Sequence, residues 1–137
     1  MKIAIVVADF NIDVTSQMLE KARRHSELLD AEISRVLHVP GVYDMPVVIK
    51  KLLKRKDVDG VVILGAVIKG DTRHDEIVIS TTASAAAQLA VEFEKPVGFG
   101  ITGPGMTREQ AVDRIDNAKT AVEAVVRLSR IIGEAAD

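Results

Sequence analysis

Val61 to Ala66 is an unbroken apolar run, and within a few residues the chain turns into Lys69-Gly70-Asp71-Thr72-Arg73-His74. A short β-branched run of this kind reads as a buried strand. Similar runs occupy Lys2 to Ala8, Glu32 to Val39 and Pro96 to Thr102, and helical patterns separate them. Asp13 is placed to cap a helix from Val14 to about Leu29, with Val14, Met18, Ala22 and Leu29 on one stripe. Pro46 suits the first turn of a helix reaching about Arg55. Glu76 to Thr82 favours a strand by propensity, but Ala83 to Phe93 is helical, and parallel strands need a crossover between them. The whole segment is therefore expected as helix. Gly103-Pro104-Gly105 is expected to end strand four. Thr107 and Gln110 match a capping box for a short helix, and Ala121, Val125, Leu128 and Ile132 mark a final helix from about Asn117 to Gly133. The expected order is βαβαβαβαα, an α/β domain with four parallel strands and helices on both faces.

Composition narrows the function classes. At 137 residues, 47% hydrophobic and 28% charged, the chain suits one globular domain spanning 1–137. A net charge of −2 gives no electrostatic case for nucleic acid or an anionic membrane. The absence of cysteine removes disulfides and thiolate chemistry, and no histidine pair has metal-ligand spacing, so no metal is expected. No apolar run reaches the length of about 20 residues that spans a bilayer. The first strand begins at Lys2 without a signal-peptide pattern, so a cytoplasmic location is expected.

In a parallel sheet the loops after the strands open on one edge, where ligands bind. Here they carry Phe10-Asn11, Tyr43-Asp44, Lys69 to His74 and Gly103 to Met106. Phe10 is either core or a ring on which a flat heterocycle stacks, worth roughly 1–3 kcal/mol if it resembles base stacking. Asp44 is either the N-cap of the Pro46 helix or a carboxylate for ligand hydroxyls. His74 is either a solvated loop residue or a proton-transfer group beside anion-binding donors. His25 reads as surface and His38 as structural. Arg114 and Lys119 are either a solvated face or a phosphate clamp. Gly98, Gly100 and Gly103 match a G-x-G-x-x-G string, but two of them lie inside a strand and Pro104 follows. That context is wrong for a dinucleotide fingerprint.

Asp9-Phe10-Asn11, Val39 to Pro46, Leu64 to Asp75, and Pro96 to Gly100 with Glu109-Gln110-Ala111 and Arg114 together resemble the lumazine synthase family over essentially the full length. The resemblance implies a three-layer, flavodoxin-like fold. It implies condensation of 5-amino-6-(ribitylamino)uracil with 3,4-dihydroxy-2-butanone 4-phosphate, without a cofactor, at sites between neighbouring subunits of a pentamer or a pentamer-based shell. By position, Phe10 resembles the ring that stacks on the pyrimidine, with Asn11 beside it as a further substrate-binding position, and Val42, Tyr43 and Asp44 resemble the segment holding the ribityl chain. Val67 and Ile68 resemble pyrimidine contacts, and Gly70, Asp71 and Thr72 part of the phosphate loop. His74 resembles the proton-transfer residue. Phe99, Arg114 and Lys119 resemble the neighbour's contribution. Asp44 stands where many members have Glu, and Lys69 where Arg is usual. The competing expectations are an archaeal-type riboflavin synthase, which dismutates lumazine, and a non-catalytic flavin- or lumazine-binding protein on the same fold.

Overall fold

The computed structural model describes residues 1–69 and 74–136; Gly70, Asp71, Thr72, Arg73 and Asp137 lie outside the described residues. The apolar runs form strands Lys2–Ala8 (β1), Glu32–Val39 (β2), Gly60–Ile68 (β3) and Val97–Met106 (β4). The helices are Ile12–Leu28 (α1), Met45–Leu53 (α2), Asp75–Phe93 (α3), Arg108–Asp113 (α4) and Asn117–Ala136 (α5). All pairings are parallel and the order is β2-β1-β3-β4, which is a flavodoxin-like α/β sheet. Residues 76–82 are helical, as the crossover requires.

Alternation along β1 and β3 sorts the core into two layers. Ile3, Ile5, Val7, Val62, Leu64 and Ala66 pack against Val14, Met18 and Ala22 of α1 and Ala118, Ala121, Val122 and Val125 of α5. Ala4, Val6, Val61 and Ile63 pack against Met45, Ile49 and Leu53 of α2 and Ala86 of α3. Every residue of β3 is buried, because helices cover both of its faces and strands flank both edges.

Several local expectations are corrected. Asp13 does not cap α1: the cap position is Asn11, in the left-handed conformation at φ 62°, and Asp13 lies in the first turn. The Asn11 carbonyl accepts from Val14 and Thr15 N–H instead. Gly103-Pro104-Gly105 does not end β4. The strand bulges there, with Gly103 at φ 121°, and re-pairs at Ile68 with Met106; Lys69 N–H then donates to the Met106 carbonyl at 2.6 Å. On α5 the buried stripe is Ala118, Ala121, Val122 and Val125, while Leu128 is exposed because the helix outruns the sheet. His25 is not surface: its ring is mostly buried between α1 and α5, with Nε2 2.7 Å from Glu123 Oε1. His38 is exposed on the edge strand and pairs with Asp9 Oδ1 at 3.0 Å. The Thr107–Gln110 capping box forms reciprocally, as expected, at 3.2 and 3.0 Å.

The glycines of the G-x-G string serve packing. A Cβ on Gly98 would collide with the Ala121 carbonyl and lie 2.7 Å from Val125, and one on Gly100 would meet Leu64 and the Ile63 carbonyl. Their absence lets α5 lie directly on β4. Gly98→Ala should therefore destabilise by about 1–3 kcal/mol, the range for overpacking. Gly133, helical and open to space, provides the contrast. Gly133→Ala should be neutral or stabilising by up to about 1 kcal/mol. Thermal or urea unfolding of both variants checks the contrast.

Candidate active site

The chain leaves β1 across one face of the sheet to reach β2, then crosses the other face to β3 on the far side of β1. Loops diverge at such a switch point and leave a crevice at the carboxyl ends. A cleft of about 360 Å³ lies there. Ala8, Ala66 and Val67 contribute from the strand ends and Phe10 from the β1–α1 turn. Gly41, Val42, Tyr43 and Asp44 contribute from the loop after β2.

Each wall has a local cause. Parallel pairing continues beyond β1 and β2: Asp9 N–H donates to the Val39 carbonyl at 2.8 Å and Phe10 N–H to the Pro40 carbonyl at 3.0 Å. Phe10 is therefore held by its backbone while the residue stays 56% exposed, so it is not core. Residues 42–44 form a single 3-10 turn. Asp44 occupies the cap position of α2, yet its side chain does not cap that helix; Oδ2 accepts from Gly41 N–H at 3.0 Å and closes the turn on itself. Tyr43 is left 64% exposed. Beneath the turn, Val42 fits where β3 has Gly65, whose Cβ would lie 2.6 Å from the valine. The buried Thr82 hydroxyl of α3 donates to the Val42 carbonyl at 3.2 Å.

Asn11 does not line the cleft; its side chain ties the β1–α1 turn to the end of β3 and to α4. Its Nδ2 donates to the Ala66 carbonyl at 2.8 Å, and its Oδ1 accepts from Arg108 Nη2 at 2.9 Å. Arg108 Nη1 also donates to Asp13 Oδ2 at 2.6 Å, and the guanidinium holds the Asp13 carboxyl below its ordinary value. His74 is exposed at the N-terminus of α3, where its carbonyl accepts from Val78 N–H at 2.9 Å. Next to it, Asp75 Oδ2 accepts from Gly105 N–H at 3.0 Å, which ties the β4 bulge to the start of α3.

Phe10, Val42, Tyr43, Asp44 and Val67 are thus brought together around one cleft. Ile68 is not with them. It faces the opposite layer, buried with Met106, Ala111 and Ile115. Phe99 lies on the edge strand, 40% exposed, Arg114 ends α4, and Lys119 begins α5 near Asp116 at 3.9 Å; none lines this cleft. Gly70, Asp71 and Thr72 lie outside the described residues. Sequence reasoning missed Ala8, Pro40, Gly41, Ala66 and Val78 as lining residues, and the Arg108 contact to Asn11 altogether. Gly41 lay within a loop already singled out, whereas Val78 gave no signal before α3 was placed.

A sequence profile of the family described as 6,7-dimethyl-8-ribityllumazine synthase matches residues 1–132. The chain belongs to that family. It is 52% identical over 134 residues to the 6,7-dimethyl-8-ribityllumazine synthase of Methanothermobacter thermautotrophicus, covering 98% of this chain and 96% of the relative. The corresponding Saccharolobus islandicus protein is 54% identical over 129 residues, covering 93% and 84%. That of Picrophilus torridus is 48% identical over 132 residues, covering 96% and 97%. Membership in the lumazine synthase family makes the chain a transferase of riboflavin biosynthesis with small-molecule substrates, and the competing riboflavin synthase expectation is not favoured. Among the described residues no helix is long and apolar enough to cross a membrane.

The Thr82 contact predicts a measurable loss. Thr82→Val should cost about 0.5–1.5 kcal/mol, an ordinary hydrogen bond, because Met45 N–H still reaches the Val42 carbonyl. Thr82→Ser should restore most of it in urea titrations.

Proposed function

We propose that the cleft between β1 and β3 binds 5-amino-6-(ribitylamino)uracil and condenses it with 3,4-dihydroxy-2-butanone 4-phosphate. The observation that carries this reading is an exposed Phe10 ring opposite the Tyr43–Asp44 turn, at the switch point of a lumazine synthase-family sheet. The pyrimidine lies on Phe10 and against Val67. The ribityl chain runs along Val42–Asp44, where backbone and carboxylate face its hydroxyls. Asp44 is one methylene shorter than Glu, so its reach to these hydroxyls is shorter.

The reaction needs no redox step. The 5-amine attacks the ketone and water leaves to give an imine. Phosphate leaves next and the resulting enol rearranges. The ribitylamino nitrogen then closes the ring with loss of a second water. Each stage moves protons near neutral pH, a task suited to an imidazole, and His74 is its bearer. Positioning two substrates together supplies much of the remaining acceleration. Gly70, Asp71 and Thr72 belong to the phosphate site in this reading. Phe99, Arg114 and Lys119 serve the cleft of the next subunit in a pentamer, with Arg114 on phosphate. None of the three lines the cleft of its own chain, which supports that division.

Turnover of the two substrates with appearance of lumazine fluorescence tests the activity, and dismutation of added lumazine to riboflavin is the outcome that contradicts it. His74→Ala should lower kcat by about 10- to 10⁴-fold, up to a typical general acid–base contribution, with much smaller changes in substrate binding. Wild-type turnover in that variant removes His74 from the chemistry. Sharing between subunits has its own test. His74→Ala and Arg114→Ala chains, unfolded together and reassembled in equal amounts, should regain about one quarter of wild-type activity, since each half of a shared site is intact with probability one half. No recovery in assemblies shown by mass spectrometry to be mixed contradicts a shared site.

A further inference from the structure

Phe10 presents an exposed ring from a turn whose backbone is held on one side by the Pro40 carbonyl, and the rest of that turn is held from the other side. The turn continues into Asn11 at φ 62°, a conformation uncommon outside glycine that asparagine tolerates. Asn11 is anchored on both sides, to the Ala66 carbonyl through Nδ2 and to Arg108 through Oδ1. The same guanidinium grips Asp13 two residues further on. Arg108 thus clasps the β1–α1 turn from 95 to 97 residues away in sequence. It reaches that position because it opens α4, whose first turn is locked by the Thr107–Gln110 box and whose Ala111 is fully buried against the core.

We propose that Arg108 is a positioning residue for heterocycle binding, acting through Asn11 and Asp13 to hold the turn that carries Phe10. The inference rests on the reading of the cleft as the aminouracil site. Stability alone is a weak reason for the contact, because the Arg108 and Asp13 side chains are 50% and 60% exposed and such ion pairs contribute little. The planar fork matters more: it addresses an amide oxygen and a carboxylate together, which a lysine ammonium on its flexible stem does less well.

The test measures binding of 6,7-dimethyl-8-ribityllumazine by fluorescence titration, with steady-state kinetics for both substrates and melting curves. Arg108→Leu should weaken lumazine binding and raise KM for the aminouracil by about 2- to 30-fold, the span of coupling through such networks. KM for the butanone phosphate and the melting temperature should change little. Arg108→Lys should recover part of the loss. The discriminating measurement is the double variant: Phe10→Ala with Arg108→Leu should bind lumazine no more weakly than Phe10→Ala alone, because a residue that acts through the ring has nothing to orient once the ring is gone. Wild-type binding in Arg108→Leu, or additive losses in the double variant, overturns the proposal. So does a binding loss explained wholly by unfolded protein. If Phe10→Ala by itself binds lumazine like the wild type, the cleft reading fails, and this inference fails with it.

Discussion

β1 is paired on both sides, and the chain reaches its two neighbours across opposite faces of the sheet. The turns after β1 and β2 are nevertheless held together by continued parallel hydrogen bonding, while the end of β3 stands across from them. The ladder from Asp9 and Phe10 to Val39 and Pro40 is the contact on which the cleft depends. It fixes Phe10 beside residues 41–44. The amide of Asn11 then ties the same turn to the end of β3. The Phe10 ring is thus exposed to solvent and yet anchored through its backbone, without loosening the core.

Glycine and small residues set how closely the layers approach. Gly98 and Gly100 bring α5 onto β4, and Gly65 admits Val42 beneath the cleft. The first pair governs stability, and the third shapes the site. The bulge at residues 103–105 belongs to the same economy of shape: it lets β4 re-pair at Met106 and offers Gly105 N–H to Asp75, next to His74. The start of α3, the end of β3 and the end of β4 are consequently one connected structure.

The sequence made the strands and helices legible to within a few residues, because β-branched runs and helical stripes are local signals. What it hid was non-local. Asp13 looks like a helix cap until Arg108, 95 residues away, takes its carboxylate. Asp44 looks like a cap for α2 until Gly41 N–H takes its oxygen. His25 sits among charges in sequence but meets Glu123 of α5 in space. Ile68 follows Val67, and a period of two sends it to the other layer. Within the site, Phe10 and the 42–44 segment were recoverable because each falls in a loop directly after a strand, whereas Arg108 gave no signal of its own. The family resemblance supplied the chemistry, and the topology supplies the reason those loops share one crevice.

The central claim is that the heterocycle occupies the crevice between β1 and β3. A crystal structure of the protein with bound 6,7-dimethyl-8-ribityllumazine tests it most directly. The account predicts the ring system stacked on Phe10 with the ribityl chain along Val42–Asp44. Ordered lumazine at another surface of the assembly, with this crevice filled only by solvent, contradicts it.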